Sequence, residues 1–210
     1  VTSFVIFDLD GTLVETEQVW RDVRRTFVET HGGRWRDDAQ STMIGMRTGE
    51  WADYIHDELG VLLPQNEIAK LIVDDVVAAL RNVPVLPGAE AALERAARRN
   101  RLGLATSAAR PVAETVLETT GWKRFFEVVV SADDVAHGKP APDVYLRALE
   151  LMRASTAQTV AVEDSTNGIR SAHAADLRVI AIPNREFPPS SGALALAWRV
   201  IPNLDALQIP

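Results

Sequence analysis

The chain reads as an α/β protein: a parallel sheet with helices on both faces, interrupted once by an all-helical insertion. Short apolar runs at Phe4 to Phe7, Leu102 to Ala105, Phe126 to Val130, Val160 to Val162 and Val179 to Ile182 are each separated from the next by a stretch of helical spacing, the alternation of a parallel sheet wrapped by helices. Residues 8–101 divide the first run from the second, far more than the roughly ten residues a simple crossover needs. Polar residues gather just after the runs, at the carboxyl ends of strands, where open α/β sheets bind ligands.

Taken in order, the first strand ends in Phe7-Asp8-Leu9-Asp10-Gly11-Thr12-Leu13, two carboxylates two apart followed by a glycine that turns the chain. The insertion then opens with a helix whose stripe is Trp20, Val23, Phe27 and Val28 and which stops at His31-Gly32-Gly33. A second helix is expected after Thr48, capped by that threonine, with Trp51, Tyr54, Ile55 and Leu59 on one face and Gly60 closing it. The third runs from Asn66 with Leu71, Ile72, Val76 and Leu80 on its apolar side. Three apolar faces of this kind pack on each other as a small bundle. Its joints are expected at Val14 to Thr16 and Val83 to Gly88. Beyond Ile182, Pro183, Pro188 and Pro189 predict a surface loop that leads to a final helical turn at Leu204 to Leu207.

With 210 residues, 47% of them hydrophobic, the chain can bury a sizeable core. Its 22 Lys and Arg against 29 Asp and Glu leave a net charge of −7, which repels nucleic-acid phosphates and anionic membranes. The densest basic stretch, Arg95 to Arg101, interrupts alanines at helical spacing and reads as a solvated helix face. No cysteine is present, so disulfides, thiolate metal sites and a cysteine nucleophile are excluded, in keeping with a reducing, cytoplasmic compartment. No apolar run reaches the roughly 18 residues of a membrane span. His31, His56, His137 and His173 lack the spacing of a metal cluster, and the tryptophans read as packing residues, with Trp20 and Trp51 set apart only by lying in the insertion.

Three later segments can converge on Asp8. Ala105-Thr106-Ser107 offers a hydroxyl and free backbone N–H groups, which suit phosphoryl oxygens. Gly138-Lys139-Pro140-Ala141-Pro142-Asp143 sets a lysine between a flexible residue and a rigid turn, and Val162-Glu163-Asp164-Ser165-Thr166-Asn167-Gly168 brings two acids from a strand end into a helix that Ser165 can cap.

With these residues the chain resembles the haloacid dehalogenase superfamily, and within it the helical-cap members that include sugar-phosphate and phosphoglycolate phosphatases and β-phosphoglucomutases. Asp-Leu-Asp-Gly-Thr-Leu matches the first motif, Thr106 the second, Lys139 the third and Glu163-Asp164-Ser165 the fourth. The resemblance implies a Rossmann-like core of residues 1–14 and 85–210 and a helical cap of residues 15–84. It further implies Asp8 as nucleophile, forming an aspartyl-phosphate, and Asp10 as acid and base. Lys139 would neutralise Asp8 and the phosphoryl group, with Thr106 and Ser107 on the phosphoryl oxygens. Four acids beside a phosphate repel one another unless a cation intervenes, and Mg²⁺ fits Asp8, the Asp10 main-chain carbonyl and Asp164, with Glu163 as a further contributor. Arg47, in the cap loop Ile44-Gly45-Met46-Arg47-Thr48, would reach the leaving group.

Two departures stand out. Trp20 occupies the place where the β-phosphoglucomutases carry a histidine, so a phosphatase acting on a small phosphorylated metabolite is expected over a mutase. Asp176, in Ala175-Asp176-Leu177, replaces a glycine, and aspartate tolerates the left-handed turn expected there. A haloacid dehalogenase would lack an acid at Asp10, and a non-catalytic binding module would not need the full set of groups. A monomer is the simplest assembly.

Overall fold

The computed structural model describes residues 3–209. Strand β1 (Phe4–Phe7) leads into helices α1 (Glu17–Thr30), α2 (Ala39–Met43), α3 (Thr48–Asp57) and α4 (Gln65–Ala79). The chain then returns through α5 (Ala89–Ala97), β2 (Arg101–Ala105), α6 (Arg110–Thr120), β3 (Phe126–Val130), α7 (Asp143–Met152), β4 (Thr159–Glu163), α8 (Thr166–Ala174), β5 (Arg178–Ala181), α9 (Ser191–Leu194) and β6 (Arg199–Val200). The strands form one parallel sheet in the order β3-β2-β1-β4-β5-β6.

β1 lies between β2 and β4, Val5 facing Leu102 on one side and Val160 on the other. Its side chains alternate between two cores. Val5 and Phe7 pack with Leu93, Val112 and Val116, whereas Phe4 and Ile6 pack with Tyr145, Ala148 and Ile169. Burial on both faces is why the strand reads as an unbroken apolar run. The first core continues into the insertion through Trp20, Phe27, Trp51, Ile55, Ile68, Ile72 and Val76. At the joints the two crossings run side by side: Val14 bridges antiparallel to Val85, Glu15 N–H donates to Pro84 O at 2.7 Å, and Leu86 N–H to Leu13 O at 3.0 Å.

Several local expectations are corrected. Thr48 is the first residue of α3, not its cap; Arg47 holds that place, and its N–H donates to Glu50 at 3.0 Å. α4 starts at Gln65, and its buried stripe is Ile68, Ile72, Val73 and Val76, with Leu71 only partly covered. Helix α5 ends at Ala97, so Arg101 belongs to β2 and the basic stretch spans two elements. α2 is too short to show a period, and β6 is two exposed residues held because Trp198 N–H and Ile201 N–H donate to Val179 O and Ala181 O at 2.8 and 2.9 Å. The closing turn forms as a 3-10 segment, Leu204–Ala206, and Asp176 adopts a φ of 58°, the left-handed conformation expected of it. Among the described residues no helix is long and apolar enough to cross a membrane.

Candidate active site

The strand order reverses between β1 and β4: the chain runs from β1 outward to β2 and β3, then crosses back to β4. The crevice at the carboxyl ends of such a pair is the binding position of a doubly wound sheet. Asp8 follows β1, and its N–H donates to Val162 O at 3.0 Å, so the two strand ends are locked in step. Gly11, at a φ of 81°, turns the chain back at once. A side chain there would strike the Asp164 carboxylate, so a bare backbone is what lets the β1 loop and the end of β4 meet.

Lys139 joins the parts. Its ammonium, 5% exposed, donates to Asp8 Oδ1 at 2.6 Å, to Glu163 Oε1 at 2.6 Å and to Ala105 O at 3.0 Å, which uses all three of its protons. Glu163 is wholly buried, and Tyr145 OH donates to the same Oε1 at 2.6 Å. Its other oxygen accepts from Asp164 N–H at 3.2 Å and Ser165 Oγ at 3.4 Å. Ser165 also caps α8, accepting from Gly168 N–H at 3.0 Å, and a side chain on Gly168 would collide with the Glu163 carboxylate. Thr12 Oγ1 reaches Asp164 Oδ1 at 3.5 Å.

Oxygens of Asp8, Glu163 and Asp164 lie within 4.8 Å of one another. One shared ammonium cannot balance three buried carboxylates. Burial, against the opposing pull of Lys139, pushes the Asp8 carboxyl up to about 8, and burial with the neighbouring Asp8 and Glu163 raises Asp164 well above the carboxylate range. The same acids hold Lys139 charged despite its burial. A hard divalent cation with oxygen ligands supplies the missing positive charge, so the donor set fits Mg²⁺. Asp8 and Asp164 are the carboxylates open to it, whereas both oxygens of Glu163 already carry protein hydrogen bonds.

Asp10 is turned aside. Its carboxylate accepts from Thr16 Oγ1, and Thr106 Oγ1 approaches its other oxygen at 3.5 Å. Burial raises its pKa, and these hydroxyls together with Lys139 and Arg24 oppose the rise. Thr106 is buried and accepts from Ala108 N–H at 3.0 Å, while the neighbouring Ser107 Oγ is buried with no partner among the described residues, an unmet polar atom that lines the cavity with Asp8 and Lys139.

The cap closes the cavity with Glu17, Trp20 and Arg24 of α1, Met43 to Met46, and Trp51 of α3. Arg47, expected at the leaving group, lies outside this lining: its Nη1 donates to Ala136 O at 2.8 Å, its Nε faces Glu50 at 3.4 Å, and its stem packs on Gly138. Opposite it, Asn167 Nδ2 donates to Ile44 O at 3.3 Å. Sequence reasoning missed Glu17, Arg24, Tyr145 and Asn184, the last of which lines the cavity and donates its N–H to Asp164 O at 3.4 Å. Glu17 and Arg24 carried a signal, since they fall on the face of Trp20 at helical spacing, a polar pair set into an apolar stripe. Tyr145 and Asn184 carried none.

A sequence profile described as haloacid dehalogenase-like hydrolase matches residues 5–182, and the chain belongs to that family. It is 36% identical to Protein CbbY of Rhodobacter capsulatus over 96% of this chain and 93% of that one. Among solved structures it resembles CbbY of Rhodobacter sphaeroides in complex with phosphate, with a TM-score of 0.89, 28% identity and coverage of 99% and 96% of the two chains. A mutant of that protein in complex with xylulose-(1,5)bisphosphate superposes with a TM-score of 0.87, again at 28% identity over 99% and 96%. The match over the whole length, with the Asp8, Glu163 and Asp164 cluster in the crevice, identifies the chain as an enzyme with the capped architecture of this family.

Proposed function

We propose that this enzyme is a Mg²⁺-dependent phosphatase that hydrolyses a small phosphorylated metabolite, a sugar phosphate or phosphoglycolate-like monoester, through an aspartyl-phosphate on Asp8. The observation that carries the reading is the Asp8–Lys139 contact of 2.6 Å inside a buried cluster of acids that needs a further cation. Asp8 Oδ2, without a hydrogen-bond partner among the described residues, attacks phosphorus in line while Lys139 holds Oδ1. Asp10, whose pKa burial raises, is the acid that gives a proton to the leaving oxygen and then the base that takes one from the attacking water. Thr106 and the unpartnered Ser107 bind phosphoryl oxygens. Asp8, the Asp10 carbonyl and Asp164 would hold the metal, with Glu163, which also fixes Lys139, as a further contributor. The metal, when bound, neutralises phosphoryl charge and orients the ester.

The complexes of the Rhodobacter sphaeroides relative with phosphate and with xylulose-(1,5)bisphosphate support a phosphorylated sugar as the substrate class. A hydrolase is preferred to a mutase because Trp20 fills the cap wall where a mutase's histidine would stand. We read the chain as a core of 1–14 and 85–210 and a cap of 15–84, working as a cytoplasmic monomer on a small molecule. Hydrolysis of an aryl phosphate with and without Mg²⁺, and after Asp8→Asn, tests the proposal. Metal-dependent turnover lost in the variant supports it. Turnover of haloacids in chelator, or of a sugar phosphate only with a bisphosphate primer, overturns it.

A further inference from the structure

The cap wall holds a buried cation that the chemistry above does not use. Arg24 is 5% exposed, and its guanidinium carbon lies 4.5 Å from the Trp20 ring centre and 5.0 Å from that of Trp51. The two indoles meet edge to face, 6.1 Å apart at 62°, and enclose it on two sides. Its one hydrogen bond among the described residues runs from Nη1 to Gln40 Oε1 at 3.4 Å, and Nε is buried with no partner. Glu17, whose Oε2 accepts from Gln40 Nε2 at 2.8 Å, is tied up with the same amide and makes no ion pair with Arg24. Burial draws the guanidinium down to about 10, opposed by the charges of Glu17 and Asp10, so of the reacting acids Asp10 is the one within electrostatic reach of Arg24.

A rivet between α1 and α3 needs only the stem and the ring contacts. It does not need a desolvated, half-satisfied fork at the wall of the cavity, because an unmet buried donor costs stability. A planar fork with an open edge is the group that binds a carboxylate or phosphate in two-point fashion. Arg47, the other cap arginine near the opening, is engaged with Ala136 O and Glu50.

We infer that Arg24, clamped between Trp20 and Trp51, is a specificity-determining residue that binds a second anionic group, carboxylate or phosphate, on the leaving alcohol. The assignment rests on the phosphatase reading. The natural substrates are then doubly anionic phosphoesters, and the aromatic clamp keeps the fork aimed while water is shut out.

The test compares kcat/KM for a pentulose bisphosphate against the matching monophosphate, and for phosphoglycerate against glycerol phosphate, in the wild type, Arg24→Met and Arg24→Lys. The wild type should favour the doubly anionic member of at least one pair by about tenfold or more, mainly through KM. The pair that shows it identifies the second anion. Arg24→Met should bring the ratio within about twofold, and Arg24→Lys, which keeps the charge without the fork, should leave an intermediate ratio. A wild type without preference in either pair overturns the inference even if no variant folds. So does an Arg24→Met enzyme that loses equally on both members, the outcome of a rivet. Absence of metal-dependent turnover on every ester would instead sink the phosphatase reading itself.

Discussion

Lys139 is the residue on which the site turns, since three oxygens from three stretches of chain share its protons. Lys139→Ala leaves Asp8 and Glu163 buried without their counter-charge, a loss of about 3–5 kcal/mol in urea unfolding, and abolishes turnover. Asp8→Asn is the contrasting variant: the amide oxygen can still accept from Lys139, while one of the mutually repelling charges is gone. Its metal-free melting temperature should match or exceed that of the wild type, while aryl phosphate hydrolysis falls by at least about a thousandfold. A lower melting temperature would mean that the acids of the cluster do not repel one another as described. Tyr145→Phe removes one hydrogen bond to Glu163 and should cost about 1–3 kcal/mol without changing which esters are cleaved. The meeting of Asp8, Lys139 and Asp164 was legible because the motifs that carry them stand in the order the family resemblance implies. Tyr145 was not, because a tyrosine on the buried face of α7 looks like packing until its hydroxyl is seen to find an acid.

At the scale of elements, the cap meets the core through continuous apolar packing and through a few polar contacts, among them Arg47 on Ala136 and Gly138, Asn167 on Ile44, and Arg21 with Glu186. Asn167→Ala removes one of them and should raise KM by about two- to tenfold, with a smaller change in kcat, as steady-state kinetics on the preferred ester will show. Gly168→Ala acts from the other side, since the added methyl meets the Glu163 carboxylate at the start of α8. It should destabilise by about 1–3 kcal/mol and lower metal affinity, read by calorimetric titration. The helices of the insertion were visible from their stripes. The partnership of Glu17 and Arg24 with the cavity was harder to see, because position on a helix face does not say whether that face meets a neighbour or a substrate.

Taken whole, the molecule concentrates its electrostatic deficit at the switch point between β1 and β4, and this sets its response to pH and metal. Asp8 titrates near 8 in the metal-free fold and near the ordinary 3.8 when unfolded, so between those values the folded state binds more protons than the unfolded. The metal-free protein should therefore lose stability as pH rises from about 4 to 8, with Asp164 adding in the same direction. Binding of Mg²⁺ releases those protons, so the stabilisation it gives should grow over the same range. Melting curves at pH 5, 6.5 and 8, with chelator and with Mg²⁺, check both signs. A metal-free melting temperature that climbs toward pH 8 would contradict the account.

The order of apolar runs and the long gap after the first were enough to predict a parallel α/β core and a helical insertion, while the phosphoryl-transfer reading came from the family resemblance that the motifs at the strand ends carry. The core and the insertion follow from periodicity and residue type, which are local properties of the chain. Tertiary structure alone decided which way Arg47 and Arg24 face, that Glu163 spends its oxygens on Lys139, Tyr145 and the start of α8, and that β6 exists. Each of those outcomes depends on groups far apart in sequence competing for the same space and the same hydrogen bonds, and no spacing rule records who wins.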